Sequence, residues 1–263
     1  MEISLSRKYR ELQGVLAKHK KIAIAFSGGV DSSFLLHAAC ATLGTSSVHA
    51  FHANSELLPH LEAERAHLAV QDRGCSFHSV QVNPFNWPEF VANGPDRCYL
   101  CKKKIYQEFL TDPIFADGAV LADGTNHDDL GQDRPGLKAV AELKVQIPLA
   151  AVGFTKNEIR LLSREFALPT WDTPASSCLA TRIAQGEPVT REKIFLVAQC
   201  EALLQKEGFI GVRVRFFDES ATIAVLRKDL PRAQEKHVFS LIKHKFSLMG
   251  VPGVIVDPHG RPD

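Results

Sequence analysis

The sequence predicts an α/β fold, a doubly wound parallel sheet followed by a smaller α+β C-terminal domain. Up to about residue 170, short apolar runs of strand type (21–26, 48–53, 75–82 and 118–122) alternate with segments whose apolar residues recur at helical spacing. Strands separated by helices are what a parallel sheet requires. Beyond that point the order becomes helix (190–207), strand (211–217), strand (221–226), helix (230–248) and strand (252–257). The change of pattern divides the chain into domains 1–175 and 176–263. The balance of 263 residues, 45% hydrophobic and 23% charged, is that of an ordinary globular protein. With 31 Lys+Arg against 30 Asp+Glu the formal net charge is +1, so any polyanion must be held locally. This argues against nucleic acid as a partner. No apolar run approaches the roughly 20 residues of a membrane span. The N-terminus lacks the pattern of a secretory signal, and six cysteines are too few for a disulfide scaffold at this length. A reduced, cytoplasmic setting is expected.

The elements follow in order. Segment 4–19 carries Leu5, Leu12, Val15 and Leu16 as a helical stripe. KIAIAF (21–26) is a buried strand, followed by SGGVDSS and the helical FLLHAACATLG, closed by Gly44. VHAFHA (48–53) is the second strand, LEAERAHLAVQDRG (61–74) a helix ending in glycine, and CSFHSVQV (75–82) the third strand. After a looser stretch with Pro84, Pro88, Gly94 and Pro95, CKKKIYQEFLTDPIF starts a helix. GAVLA (118–122) is the fourth strand and runs into the polar loop DGTNHDDLGQDRPG. In TKNEIRLLSREFAL, Thr155 and Glu158 form a capping box. The final DPHGRPD reads as a loose tail.

The segment Ser27-Gly28-Gly29-Val30-Asp31-Ser32 lies between a buried strand and a helix, the context that phosphate cradles need. Adjacent glycines let backbone N–H groups turn inward, and the helix N-terminus adds positive potential. Ser27 and Ser32 supply hydroxyls, and Asp31 could hold Mg²⁺ or orient a reacting group. There is no P-loop lysine motif and no dinucleotide fingerprint. A plain Gly-rich turn is the bland alternative. The hexapeptide resembles the PP-loop of the N-type ATP pyrophosphatases, which cleave ATP between the α- and β-phosphates. That resemblance implies a nucleotide along the ends of the first two strands, at Ala25, Phe26, Ser27, Gly28, Gly29, Asp31 and Ser32, then Ala53, Asn54 and Ser55, with Gly124 after the fourth strand.

Cys98 and Cys101 form a CxxC that opens a helix beside Arg97 and Lys102–Lys104, surroundings that favour thiolates. By itself the pair suits a redox couple, half a zinc site or two ligands of an iron–sulfur cluster. Cys40, Cys75 and Cys200 read as small buried hydrophobes. Cys178 differs, lying in the polar PASSCLATR at the domain junction. Three thiolates would leave one iron of a [4Fe–4S] cluster open to exogenous sulfide. Arg213 and Arg215 fall on one face of the strand VRVRF, an arrangement suited to bidentate phosphate or carboxylate binding, or to a solvated strand face.

Taken in order, SGGVDS, ANSEL (53–57), NGPDRC (93–98), DGTN with DRPGLKA (123–126, 133–139), SSCLATR (176–182) and VRVRF (212–216) resemble the LarE family of sulfur transferases over nearly the whole chain. The resemblance implies that ATP adenylylates a carboxylate of pyridinium-3,5-biscarboxylic acid mononucleotide and that a sulfur displaces AMP to leave a thiocarboxylate. It implies Cys178, Asp31 and Arg182 at the catalytic centre, and Thr181, Arg182, Arg213 and Arg215 on the substrate phosphate. Cys98, Cys101 and Cys178 together point to the cluster-dependent style of the family, with a [4Fe–4S] cluster beside ATP and Mg²⁺ as cofactors. The other style sacrifices the sulfur of a single cysteine at the position of Cys178. A homo-oligomer is implied by resemblance; the sulfide donor is left open. A PP-loop tRNA thiolation enzyme is the competing enzyme, and the near-neutral charge without further cysteine clusters speaks against it.

Overall fold

The computed structural model describes residues 3–58, 62–71, 73–174, 177–217 and 220–262. The predicted boundary at 175/176 lies outside the described residues, as do Ser176 of SSCLATR and Leu61 and Asp72 of the predicted helix 61–74. The chain forms two compact units. One comprises Met1–Ser55, Leu61–Pro84 and Asp96–Thr173; the other comprises Glu56–His60, Phe85–Pro95 and Pro174–Asp263.

The first unit holds a parallel sheet of β1 (Ile22–Ala25), β2 (Val48–Asn54), β3 (Ser76–Gln81) and β4 (Val120–Asp123) in the order β3-β2-β1-β4. Alternation along β1 splits the core into two layers. Ile22 and Ile24 pack with Leu12, Leu16, Phe34, Phe154, Ile159 and Leu162, supplied in part by helices Ile3–Leu16, Val30–Leu43 and Lys156–Glu165. Ala23 points the other way, to Phe51, Tyr106, Phe109, Leu121 and Val140, where helices Arg97–Phe109 and Gly136–Glu142 contribute. A strand buried on both faces needs an unbroken apolar run, and IAIA is one. Complete burial of a side chain such as Phe34 or Phe51 contributes about 1.5–3 kcal/mol relative to exposure. Gln146 adds a parallel bridge outside β4, donating to Leu121 O and accepting from Asp123 N.

The capping box read from the sequence is present: Thr155 Oγ1 accepts from Glu158 N at 3.3 Å and Glu158 Oε2 accepts from Thr155 N at 2.9 Å. Lys8 Nζ closes on Glu158 at 2.7 Å, tying the N-terminal helix to this helix start.

The second unit carries a mixed sheet, β5 (Arg213–Phe217), β6 (Ser220–Ala224) and β7 (Gly253–Val256), with β5 antiparallel and β7 parallel to β6. Val214 and Phe216 face inward while Arg213 is half-buried and Arg215 and Phe217 are exposed. Helix Arg191–Lys206, capped by Thr190 on Lys193 N at 3.3 Å, buries Val197, Cys200 and Leu204. Two expectations are corrected here. The single helix expected over 230–248 is two, Leu230–Gln234 and Lys236–Leu248, because Glu235 between them is extended (φ −59°, ψ 129°). The C-terminal segment is not a loose tail: Asp257 N donates to Ile223 O at 2.9 Å and Arg261 N to Val225 O at 2.7 Å, continuing the strand pairing of β6. Among the described residues no helix is long and apolar enough to cross a membrane.

Candidate functional site

In an open parallel sheet, ligands bind beyond the carboxyl ends of the strands where the strand order reverses. Here that point lies between β1 and β4, since β1 leads outward to β2 on one side and β4 on the other. The residues singled out for a nucleotide stand at these ends. Ala25 and Asp123 are level across β1 and β4, and Phe26 N donates to Phe51 O at 2.8 Å as β1 leaves the sheet. Ala53, Asn54 and Ser55 end β2 alongside, each half-buried. His52 Nδ1 lies 2.9 Å from Phe26 O and fixes the strand exit from below.

The loop between β1 and its helix is held by its own serines. Ser32 Oγ donates to Gly29 O at 3.2 Å and lies 3.2 Å from Ser27 Oγ, which accepts from Gly29 N at 3.3 Å. Gly28 adopts φ +77°, and a Cβ there would stand 3.3 Å from the Cβ of Ala66. Gly29 is the N-cap and brings no side chain to the first helical amides, which point their N–H groups toward the loop's mouth. This is an anion cradle in construction. Gly124 closes it from the β4 side: a Cβ at 124 would lie 3.0 Å from Ser32 N and 3.2 Å from the carbonyl carbon of Asp31. Those are backbone atoms and cannot swing aside. Gly124→Ala is therefore expected to narrow the cradle, weakening any phosphate it holds, and to cost about 1–3 kcal/mol of stability through overpacking. Thermal unfolding and ATP titration check this, and unchanged values for both would show that the two loops have slack.

Around the cradle stand charged groups that sequence spacing does not reveal. Lys156 Nζ, on the first residue of helix Lys156–Glu165, ion-pairs with Asp31 Oδ2 at 2.6 Å, and Asn126 Nδ2 reaches Asp31 Oδ1 at 3.5 Å. Lys156 brings an ammonium to a loop that has no lysine of its own. The second group is Asp123, 5% exposed, which takes Lys102 Nζ at 2.7 Å and Thr125 N at 2.6 Å, with Tyr106 OH and Thr125 Oγ1 also donating. Burial alone would raise the Asp123 carboxyl, but Lys102, Thr125 and Tyr106 outweigh it and hold the group below the usual carboxylate range. Burial and the Asp123 charge push the Tyr106 hydroxyl well up, so Tyr106 remains a donor.

Lys102 directly follows Cys101, so its bond to Asp123 ties the CxxC helix to the residue preceding Gly124. Cys98 is exposed and Cys101 half-buried, three residues apart on the first turns of Arg97–Phe109, and Arg97 Nη2 donates to Cys98 Sγ at 3.5 Å. The RPGLKA segment braces this helix. Lys138 Nζ sits 4.5 Å from the centre of the Tyr99 ring, and Arg134 pairs with Asp129 at 2.8 Å. Asp129 and Asn126 in turn cap one another.

Of the remaining cysteines, Cys200 is fully buried and its thiol is pushed up to about 12 by burial and the neighbouring Glu201. Cys40 hydrogen-bonds with Cys75 at the edge of the core, and that bond and burial push its thiol up. The same bond lowers the half-buried Cys75 thiol, outweighing its burial.

In the second unit, Cys178 is half-buried at the N-cap of the short turn Leu179–Arg182. Arg182, 3% exposed, organises the loop. Its Nε and Nη2 grip Glu201 at 2.8 and 3.2 Å, while Nη1 donates to Ser177 O, Ser177 Oγ and Thr181 Oγ1 at 2.9, 2.6 and 2.9 Å. Thr181 Oγ1 donates to Cys178 O at 2.8 Å. Glu201 also accepts from Val214 N at 2.9 Å, which fastens the cysteine loop to the strand carrying Arg213 and Arg215. Burial pushes the Arg213 guanidinium down to about 10, helped by Arg261, Arg182 and Arg215. Among the described residues no three His, Cys, Asp or Glu side chains are grouped to hold a metal ion.

No family model matches the chain. An uncharacterized protein of Synechocystis sp. is 32% identical over 97% of this chain and 95% of its own length. An uncharacterized protein of Methanocaldococcus jannaschii is 26% identical over 79% of each. The pyridinium-3,5-bisthiocarboxylic acid mononucleotide synthase of Lactiplantibacillus plantarum is 32% identical over 88% of this chain and 82% of its own. At that identity and coverage, the chain belongs to the family of the pyridinium-3,5-bisthiocarboxylic acid mononucleotide synthase.

Proposed function

We propose that this protein is an ATP-dependent sulfur transferase that converts carboxylates of pyridinium-3,5-biscarboxylic acid mononucleotide into thiocarboxylates, forming AMP and pyrophosphate. The observation that carries it is the phosphate cradle at the β1/β4 switch point, in a chain whose relative is named for the bisthiocarboxylic product. ATP lies with its phosphates against Ser27–Ser32 and its base along Ala25, Phe26 and Ala53–Ser55. Asp31 would hold Mg²⁺, which supplies charge neutralisation on the departing pyrophosphate; that carboxylate already attracts one cation, the Lys156 ammonium at 2.6 Å. Lys156 then serves the phosphates as the P-loop lysine does in other folds.

A substrate carboxylate oxygen attacks the α-phosphorus, the bond to the bridging oxygen breaks, and pyrophosphate leaves. A sulfur nucleophile adds to the acyl carbon of the adenylate, and AMP departs with its oxygen. Thr181, Arg213 and Arg215 hold the substrate phosphate, with Arg182 at the centre of the loop that presents Cys178. A [4Fe–4S] cluster on Cys98, Cys101 and Cys178 would supply the sulfide, so that the protein's own sulfur is retained.

The test is product analysis under anaerobic conditions with ATP, Mg²⁺ and the biscarboxylic mononucleotide. AMP and pyrophosphate should form only with the mononucleotide present, and the mononucleotide should exchange oxygen for sulfur. ADP as the main product would reject the assignment of the loop.

A further inference from the structure

The arginine group of the second unit has a member that lies in the C-terminal segment. Backbone pairing fixes its position. Arg261 N donates to Val225 O at 2.7 Å, and Arg261 O accepts from Arg227 N at 2.9 Å. Val225 follows Ala224, and Ala224 is the register partner of Arg213 across β5 and β6. The segment thus delivers Arg261 to the end of the sheet where Arg213 starts its strand. From there Arg261 Nη1 donates to the carbonyl oxygen of Gly211, two residues before Arg213.

The electrostatics agree with this placement. Burial, then Arg182 and Arg215, push the Arg261 guanidinium down, opposed by Glu201; the shift of Arg213 is caused by burial and by Arg261 before the other arginines. The buried carboxylate in their midst, Glu201, is gripped bidentately by Arg182. Cations brought together, two of them half-buried, repel one another, and an anion bound among them relieves that repulsion. Planar guanidinium groups are also the side chains best matched to the oxygens of a phosphate.

We propose that Arg261 is a further cation of the substrate-phosphate subsite, carried there by the folded-back C-terminal segment, and that the ligand it takes is the phosphate monoester of a mononucleotide. The inference rests on the assignment of Arg213 and Arg215 to that phosphate under the proposed function.

Calorimetric titration of the full chain with nicotinic acid mononucleotide, and with the corresponding nucleoside that lacks the phosphate, separates the possibilities. Arg261→Gln should weaken the mononucleotide about ten- to a hundredfold, as expected for one charge-assisted phosphate contact, and leave nucleoside and ATP binding unchanged. Arg261→Lys, which keeps the charge without the fork, should fall between wild type and Arg261→Gln; it also serves if the glutamine variant folds poorly. Mononucleotide affinity within twofold of wild type in both variants, while Arg213→Ala loses it, would overturn the role of Arg261 and leave the subsite standing. Equal loss for nucleotide and nucleoside would also overturn it, since that marks a merely structural arginine. If wild type binds nucleotide and nucleoside equally, the phosphate subsite itself fails and this inference with it.

Discussion

Cys178→Ala is expected to abolish thiocarboxylate formation while AMP and pyrophosphate still appear in the presence of the mononucleotide. The substitution removes the sulfur and leaves the backbone of the loop in place. The loop is held by Arg182 on Glu201 and Ser177 and by Thr181 on the Cys178 carbonyl, none of which uses the thiol. Loss of a group that forms or delivers the nucleophile reduces turnover by about 10³-fold or more, so a residual rate within tenfold of wild type would remove Cys178 from the chemistry. The companion variant Cys98→Ser tells the two sulfur sources apart. If sulfide is delivered from a three-cysteine cluster, Cys98→Ser loses iron, sulfide and the visible absorption of the anaerobic protein, and multiple turnover stops. If Cys178 gives up its own sulfur, Cys98→Ser behaves as wild type. Each turnover then lowers the protein mass by one H₂S and leaves dehydroalanine at 178, and the cluster proposal falls.

The second large effect is expected at Asp31. Asp31→Asn keeps the size of the side chain and the contact with Asn126 but removes the charge that pairs with Lys156. AMP formation should fall by about 10²-fold or more, because charge stabilisation aimed at a leaving pyrophosphate is among the largest contributions an active site makes. The fall should persist at saturating ATP and respond to Mg²⁺ concentration. Stability is the control. The side chains of Lys156 and Asp31 are 33% and 23% exposed, so losing this pair costs at most about 1 kcal/mol, too little to unfold the protein. Pyrophosphate release by Asp31→Asn at the wild-type rate would place the magnesium ligand elsewhere.

The alternation of apolar runs and helical spacing was enough to define the α/β layer, since each element's period is written in its own residues. IAIA is buried because every residue in it is apolar, and the Thr155–Glu158 cap forms because its partners are three residues apart. The strand-to-helix turn at Ser27–Ser32 is legible for the same reason: glycines, serines and helix start are contiguous. The smaller C-terminal sheet was legible from its changed order of elements, and the faces of VRVRF from strand alternation.

Tertiary structure decided what depends on register between distant segments. Lys156 meets Asp31, Lys102 meets Asp123 and Arg261 reaches Gly211 because strand order and backbone pairing bring together residues that no local pattern links. The break at Glu235 and the folded-back C-terminal segment depend on the same ground, since Asp257–Arg261 has neither apolar period nor cap and is held by hydrogen bonds to β6 and the residues just after it. Local sequence sets the periodicity of an element and which of its faces is buried. The charges that complete a site come from wherever the packed sheet delivers them, because a hydrogen bond depends on distance in space and not on separation along the chain.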